Sequence, residues 1–318
     1  MAGILTRRHI RIKVLQALYA YFKSNNDNYV TGEKELFFSL NKMYDMYILY
    51  LLIFDEIVRL AENRIEDGKK KRLPTEDDLN PNLKFVENKI FKLLSENRAL
   101  KNKVEQRKLN WTNQEDAIVK LFKEIRESDV YIEYMSTQET TFEEDRIFAT
   151  KLFKKVIANF EFIHHIFEEN SIYWVDDIDL VCSMVLKTIK SFTEKSDEFD
   201  SISTLYKEND DEEEFAKILF RKTIDMDKVN TEIIEERTKN WEVDRIASMD
   251  VLLMKMALTE AREFKQIPIK VTMNEYIEVS KFYSTPKSNT FINGILDKVF
   301  ADMKKNGEIA KVGRGLID

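Results

Sequence analysis

Apolar positions recur at steps of three and four along almost the whole chain. From Arg7 to Lys23, Ile10, Val14, Leu18 and Tyr21 fall on one stripe, which predicts a helix with one buried face. Ser24 to Asn28 reads as a loop. A second helix is predicted from about Glu33 to Arg64. Its middle, Met46 to Phe54, is a continuous apolar run bounded by Asp45 and by Asp55 and Glu56, as in a buried helix. Lys69 to Arg72, with Pro74 and Pro81, marks a polar connection. Over residues 83–135, Leu93, Leu94, Leu100 and Val104, then Ile118, Leu121, Phe122 and Ile125, predict one or two more helices.

Thr141 and Glu144 have the spacing of a capping box, in which each side chain serves the other's backbone N–H. Phe148, Leu152, Val156, Phe160, Ile163 and Phe167 then predict one long core-facing helix. Residues 172–238 hold further helical pattern and the acidic run Asp210 to Glu214, expected to be a solvated or mobile surface. Ile246, Met249, Leu253 and Met256 predict a helix from about Asp244 to Phe264, and Pro268 interrupts it. Thr272 to Glu275 reads as a second capping box, opening a helix to about Tyr283. Ser284 to Lys287 is a turn, and Ser288 is placed to cap a last helix carrying Phe291, Ile295, Leu296 and Val299. The tail after Lys304, with Gly307, Gly313 and Gly315, is expected to be loose.

Composition sharpens this to an all-α fold. There are 7 Gly and 4 Pro in 318 residues, and no glycine from Lys69 to Asn293. Strand-rich folds need many tight turns, which glycine supplies at low conformational cost. The same lack excludes GxGxxG and GxxxxGK[ST] phosphate loops. One cysteine, Cys182, excludes an internal disulfide framework and a cysteine-clustered zinc site, and its apolar neighbours predict a buried small hydrophobe. The apolar run at Met46 is shorter than the roughly 20 residues a membrane helix needs, and the first residues lack a signal-peptide pattern. The expectation is a cytoplasmic protein with no membrane partner.

Little in the sequence points to catalysis. His164 and His165 point about 100° apart on a helix and do not chelate one metal together. Glu161 and His164 make a single ExxH pair, short of the two that a di-iron bundle uses. Neither a metal nor a cofactor is expected, and the chain is read as a non-enzyme. The charge is more informative. The formal total is −7, yet the first 23 residues hold Arg7, Arg8, Arg11, Lys13 and Lys23 and no acid. Guanidiniums one turn apart suit phosphate contacts, and the acidic total favours one localised basic surface over broad polyanion binding.

The two ends together resemble the NusB family of transcription antitermination factors. Arg7-Arg8-His9-Ile10-Arg11 through Leu15-Gln16-Ala17-Leu18-Tyr19 is similar to the family's arginine-rich start and VQALY element. Asp244-Arg245-Ile246-Ala247 through Ala257-Leu258-Thr259-Glu260, then Ile267 to Glu278, then Phe291-Ile292-Asn293-Gly294-Ile295-Leu296-Asp297-Lys298 resemble its helix ending in ALYE, its IPxKVAINEAIE and its FVNGVLDK. The resemblance implies two small helical subdomains. It also implies single-stranded boxA-type RNA, bound jointly with the ribosomal protein NusE within an RNA polymerase antitermination complex that acts on ribosomal RNA operons. By position it assigns RNA contacts to Arg7, Arg8, His9, Arg11 and Phe291, and NusE contacts to Tyr19 and Asp250. Lys287 stands where the family often has an acid and Ser284 where glycine is common; Lys287 and Asn289 are read as added polar contacts to the strand.

The resulting division is a NusB-like helix at 1–29, an inserted helical region at 30–140, a NusB-like middle helix at 141–170, a second insert at 171–240, C-terminal NusB-like helices at 241–304 and a flexible tail at 305–318. Blander readings stand beside these: Phe291 as core, Asn293 and Gly294 as helix-packing positions, Asp250 as an ordinary surface acid. The rival functions are a helical protein-interaction scaffold without RNA and, given NusB-like domains fused to RNA methyltransferases, a component of an RNA-modifying enzyme.

Overall fold

The computed structural model describes residues 3, 5–24, 28–137, 140–174, 176–206, 211–238 and 247–316. Asn25 to Asp27 of the expected loop, Asp210 of the acidic run, and Asp244 to Ile246 of the expected helix start lie outside them. The described residues form helices throughout, with one isolated β-bridge between Gly3 and Thr204. In chain order the helices are α1 (Arg7–Lys23), α2 (Tyr29–Lys69), α3 (Glu76–Leu79), α4 (Lys89–Glu96), α5 (Arg98–Arg107), α6 (Glu115–Glu127), α7 (Asp129–Ser136), α8 (Phe142–Lys155), α9 (Glu161–Asn170), α10 (Ile178–Ser191), α11 (Glu212–Asp225), α12 (Asp227–Thr238), α13 (Ser248–Glu263), α14 (Ile269–Tyr283) and α15 (Ser288–Lys305).

They fall into two compact units. One holds residues 1–4 and 41–205, the other residues 5–40 and 206–318. In the second unit α13 is the central element, packing against α1, α11, α12, α14 and α15. Its sequence is rich in Leu, Met and Ala, good helix formers, and apolar almost all round. A helix with that pattern must be buried, and every residue from Met256 to Ala261 is. Ile10, Val14, Leu15 and Leu18 of α1 and Phe215, Leu219 and Phe220 of α11 complete this core. Gly32 permits the close approach of α2 to α11: a Cβ there would stand 2.8 Å from Phe220 Cζ.

The 41–205 unit is built on aromatic packing. Phe54 lies against Phe91 and Phe153, Phe85 against Phe91, Phe122 and Phe148, and Tyr134 stacks on Phe148 at 3.8 Å. Several buried polar groups are paired within it. The Asn88 side chain caps α4 by accepting from Ile90 and Phe91 N–H, and the Tyr134 hydroxyl donates to Asp145 at 2.6 Å. Helix α2 has the length and composition of a membrane-crossing helix, but 72% of its most apolar stretch is buried inside the protein, as in a core helix.

Several local expectations are corrected. The long helix expected from Phe148 to Phe167 is broken: α8 ends at Lys155, and the Asn159 side chain donates to the freed carbonyls of Lys154 and Lys155 before α9 begins. At Thr141 only half of the capping box forms. Thr141 accepts from Glu144 N–H, while the Glu144 carboxylate turns to Lys84 and Thr137. Thr272 is not a cap at all. Helix α14 starts earlier, after Pro268, and Thr272 lies inside it, fully buried. Ser288 is the first residue of α15 rather than its cap. Glu212, in the acidic run expected to be solvated, is 1% exposed at the start of α11. The tail is docked: Val312 N–H donates to the Lys265 carbonyl at 3.0 Å, Lys311 Nζ to the Phe264 carbonyl at 3.1 Å, and Ile309 is buried.

Candidate functional site

The basic start of α1 lies against the junction of α13 and α14, and the acids of those helices decide what each arginine does. Arg11 is buried. Its Nε and Nη2 donate to the two carboxylate oxygens of Glu260, each at 2.7 Å. Glu260 also accepts the Thr272 hydroxyl at 2.8 Å and the Tyr276 hydroxyl at 3.0 Å. Burial opposes the Arg11 charge more than any other single influence, but the Glu260 charge and hydrogen bonds, with Tyr276 and Glu275, raise its pKa above the ordinary value. Burial and the Glu260 charge likewise push the Tyr276 phenol far up, so it serves as a donor. Arg8 makes a second fork one turn away, to Glu275, at 2.9 and 2.7 Å, but remains 47% exposed. That hydrogen bond holds the Glu275 carboxyl below the usual carboxylate range.

Arg11 therefore departs from the sequence expectation. It is a buried clamp between α1, α13 and α14 rather than a side chain open to a strand. Lys13 is buried as well. Arg7 is half-buried with its guanidinium 4.9 Å from the centre of the Phe215 ring, and His9 Nδ1 sits 2.7 Å from the Thr6 hydroxyl.

Beside this clamp opens a groove of about 960 Å³. Arg7, Arg8 and His9 form one side and Gln266, Lys270 and Val271 the other, with Pro268 on its wall. Lys270 is exposed and, among the described residues, has no carboxylate partner. The starts of α1 and α14 both border the groove, and the N-cap of α14, Pro268, supplies no side-chain cap. Helix starts carry free N–H groups and a partial positive charge, so both favour an anion here. Sequence reading missed Lys270, Gln266 and the two clamping acids. Glu260 did carry a signal, an acid inside an otherwise apolar helix, which demands a buried partner.

The other expected site residues lie elsewhere in the same unit. Asp250, read as a partner contact or an ordinary surface acid, is 4% exposed: it accepts from the hydroxyls of Ser284 at 2.5 Å and Ser288 at 2.8 Å, joining α13 to the start of α15. Lys287 is exposed, Asn289 and Phe291 half-buried. They follow Asp250, at the opposite end of α13 from Glu260, about 15 Å away at 1.5 Å per residue. The basic cluster lies on α1 by the Glu260 end of α13 and Phe291 on α15 by the Asp250 end, so the two are not side by side. Gly294 is exposed with nothing within 4 Å of a Cβ, so it does not serve helix packing. Tyr19, 38% exposed, lines a pocket of about 300 Å³ with Phe22, Val251, Leu252, Lys255 and Asp227.

Elsewhere, His164 Nε2 lies 2.9 Å from the Ala158 carbonyl and His165 points to solvent beside Glu168. Among the described residues no cluster of three metal-ligating side chains occurs. Cys182 is half-buried rather than fully buried, and burial pushes its thiol up to about 11.

An all-α domain with a basic leading helix clamped onto a helical hairpin is the class this geometry defines. Within it, residues 181–301 match the model of the NusB family. The matched span includes α11 and α12, which lie in the region expected as a second insert, and starts after the expected middle helix. The transcription antitermination protein NusB of Salinibacter ruber is 46% identical over 104 residues, 33% of this chain and 65% of that protein. NusB of Chloroherpeton thalassium is 45% identical over 85 residues, 27% of this chain and 40% of the relative. NusB of Natranaerobius thermophilus is 39% identical over 74 residues, 23% and 53%. The chain thus spans less than two thirds of each of these relatives. No solved structure matches it significantly.

Proposed function

We propose that the protein is a non-enzymatic, cytoplasmic transcription antitermination factor that binds single-stranded, boxA-type RNA jointly with NusE during ribosomal RNA transcription. The observation that carries this reading is the groove at the start of α1. Three exposed or half-exposed cations, Arg7, Arg8 and Lys270, and two helix starts converge there on one open surface. Phosphates would be held by these groups, while Pro268 and Val271 offer apolar contact to a base. Arg11 acts through position: by fixing Glu260 and reaching Glu275 at 3.5 Å it holds the groove's two sides together. Lys287, Asn289 and Phe291 take the other end of the strand, Phe291 by stacking, and the Tyr19–Phe22 pocket receives NusE. Residues 5–40 and 206–318 carry these contacts.

The test is titration of a boxA-like RNA at several salt concentrations. Neutralising about three phosphates gives a slope of log affinity against log salt of about −2. Arg7→Ala/Arg8→Ala should flatten it, and the protein should co-purify with NusE more completely when the RNA is present. One observation favours the rival scaffold reading, since Arg8 and Arg11 already have carboxylate partners. A flat salt dependence, unchanged in Arg7→Ala/Arg8→Ala, would decide for the scaffold.

A further inference from the structure

The 41–205 unit contains a cavity that the antitermination reading does not use. It has a volume of about 250 Å³ and lies between the end of α2, the short α3, and helices α6 and α7. Arg64 of α2 and Arg126 of α6 line it, and among the described residues neither has a carboxylate partner. Tyr131 of α7 lines it as well. Burial raises its phenol above the ordinary range while the charges of Arg126 and Arg64 pull it back, so both guanidiniums act on that hydroxyl. Val86 and Met135, both half-buried, also line it, over the buried rings of Phe85 and Phe122. Phe85 lies 5.3 Å, ring centre to ring centre, from Tyr131.

Two acids also face the cavity. Asp78 is engaged by Lys71 at 2.7 and 3.0 Å and by the Thr75 N–H and hydroxyl, each at 2.9 Å. Gly68 makes room for it, since a Cβ there would stand 2.9 Å from Asp78 Oδ1. Asp77 makes no ion pair among the described residues and offsets one of the two guanidiniums. One net positive charge is left over. That balance suits a single oxyanion and disfavours a polyanion.

We propose that this cavity binds a compact ligand with one oxyanion, phosphate or carboxylate, on a planar apolar body. The oxyanion sits between Arg64, Arg126 and the Tyr131 hydroxyl. Paired guanidinium forks match either oxyanion geometry. The planar body lies against Val86 and Met135, and Asp77 is available to accept a donor on the ligand's rim. The site is separate from the RNA groove and does not depend on it.

Calorimetric titration of the full chain with adenosine 5′-monophosphate, benzoate and inorganic phosphate tests this. At least one of the two planar probes should bind saturably, one per chain, at least tenfold tighter than inorganic phosphate. Arg64→Gln and Arg126→Gln should each weaken it about tenfold or more, whereas Arg7→Ala/Arg8→Ala should leave it unchanged. Arg64 is exposed, so its substitution tests the site without disturbing the core. A nucleotide that binds tighter than benzoate assigns the phosphate class, and the reverse assigns the carboxylate class. The proposal is overturned if neither planar probe saturates, if inorganic phosphate binds as tightly as both, or if binding survives in Arg64→Gln and Arg126→Gln.

Discussion

Arg11 and Glu260, 249 positions apart in the chain, meet through two hydrogen bonds of 2.7 Å with their side chains 3% and 0% exposed. Removing one partner leaves an uncompensated buried charge. Arg11→Ala is expected to cost about 3–5 kcal/mol in urea unfolding. Arg11→Lys should recover little, because an ammonium cannot make the fork. If Arg11→Ala unfolds within about 1 kcal/mol of wild type, the clamp does not hold α1 to α13.

Glu275 gives the stability a definite dependence on acid. The Arg8 hydrogen bond, with the Arg11 and Arg8 charges, depresses its folded pKa, and partial burial only partly opposes them. A depressed carboxyl stabilises the fold at pH values above its unfolded pKa. That contribution fades as pH falls through the folded value, below about 4.3. Wild type should therefore lose more stability than Glu275→Gln between about pH 5 and pH 3, and the two should converge at the acid end. Parallel curves would show that the Arg8–Glu275 pair adds nothing to folding.

The helical nature of the chain and most of its apolar faces were legible in the sequence, because period and glycine scarcity report on helices directly. Ion-pair choice was not. Arg8 and Arg11 are alike in sequence, and only the arrival of Glu260 from α13 and Glu275 from α14 makes one a buried clamp and leaves the other half open. Thr272 shows the same limit. Its capping-box spacing with Glu275 is genuine, but both side chains find tertiary partners, Glu260 and Arg8, that outweigh a local cap. Lys270 stood within the stretch resembling IPxKVAINEAIE, but a lone lysine gave no sign that it would face the start of α1.

Asp250 illustrates how a residue assigned to a partner can belong to the fold. Its carboxylate takes two serine hydroxyls and is nearly inaccessible. Asp250→Ala strands both hydroxyls and frees the start of α15, with an expected cost of about 2–3 kcal/mol. Asp250→Asn, which keeps one acceptor, should cost less. Any loss of NusE co-purification in these variants should track the loss of stability. A variant that keeps full stability but loses the partner would restore Asp250 as a direct contact.

Gly294 is the clearest case of a residue that the fold does not need. It sits inside α15, exposed, with open space where a Cβ would be. Glycine in a helix interior costs up to about 1 kcal/mol relative to alanine. Gly294→Ala should therefore raise stability in urea unfolding by about 0.5–1 kcal/mol, with no repacking. A position that gives up stability for no internal contact fits a surface that another molecule approaches closely. The exposed Asn293 beside it and Phe291 one turn earlier lie on the same helix start. Assembly with NusE and RNA should accordingly weaken about tenfold in Gly294→Ala although the protein is more stable. If stability rises and assembly is untouched, nothing docks against this part of α15.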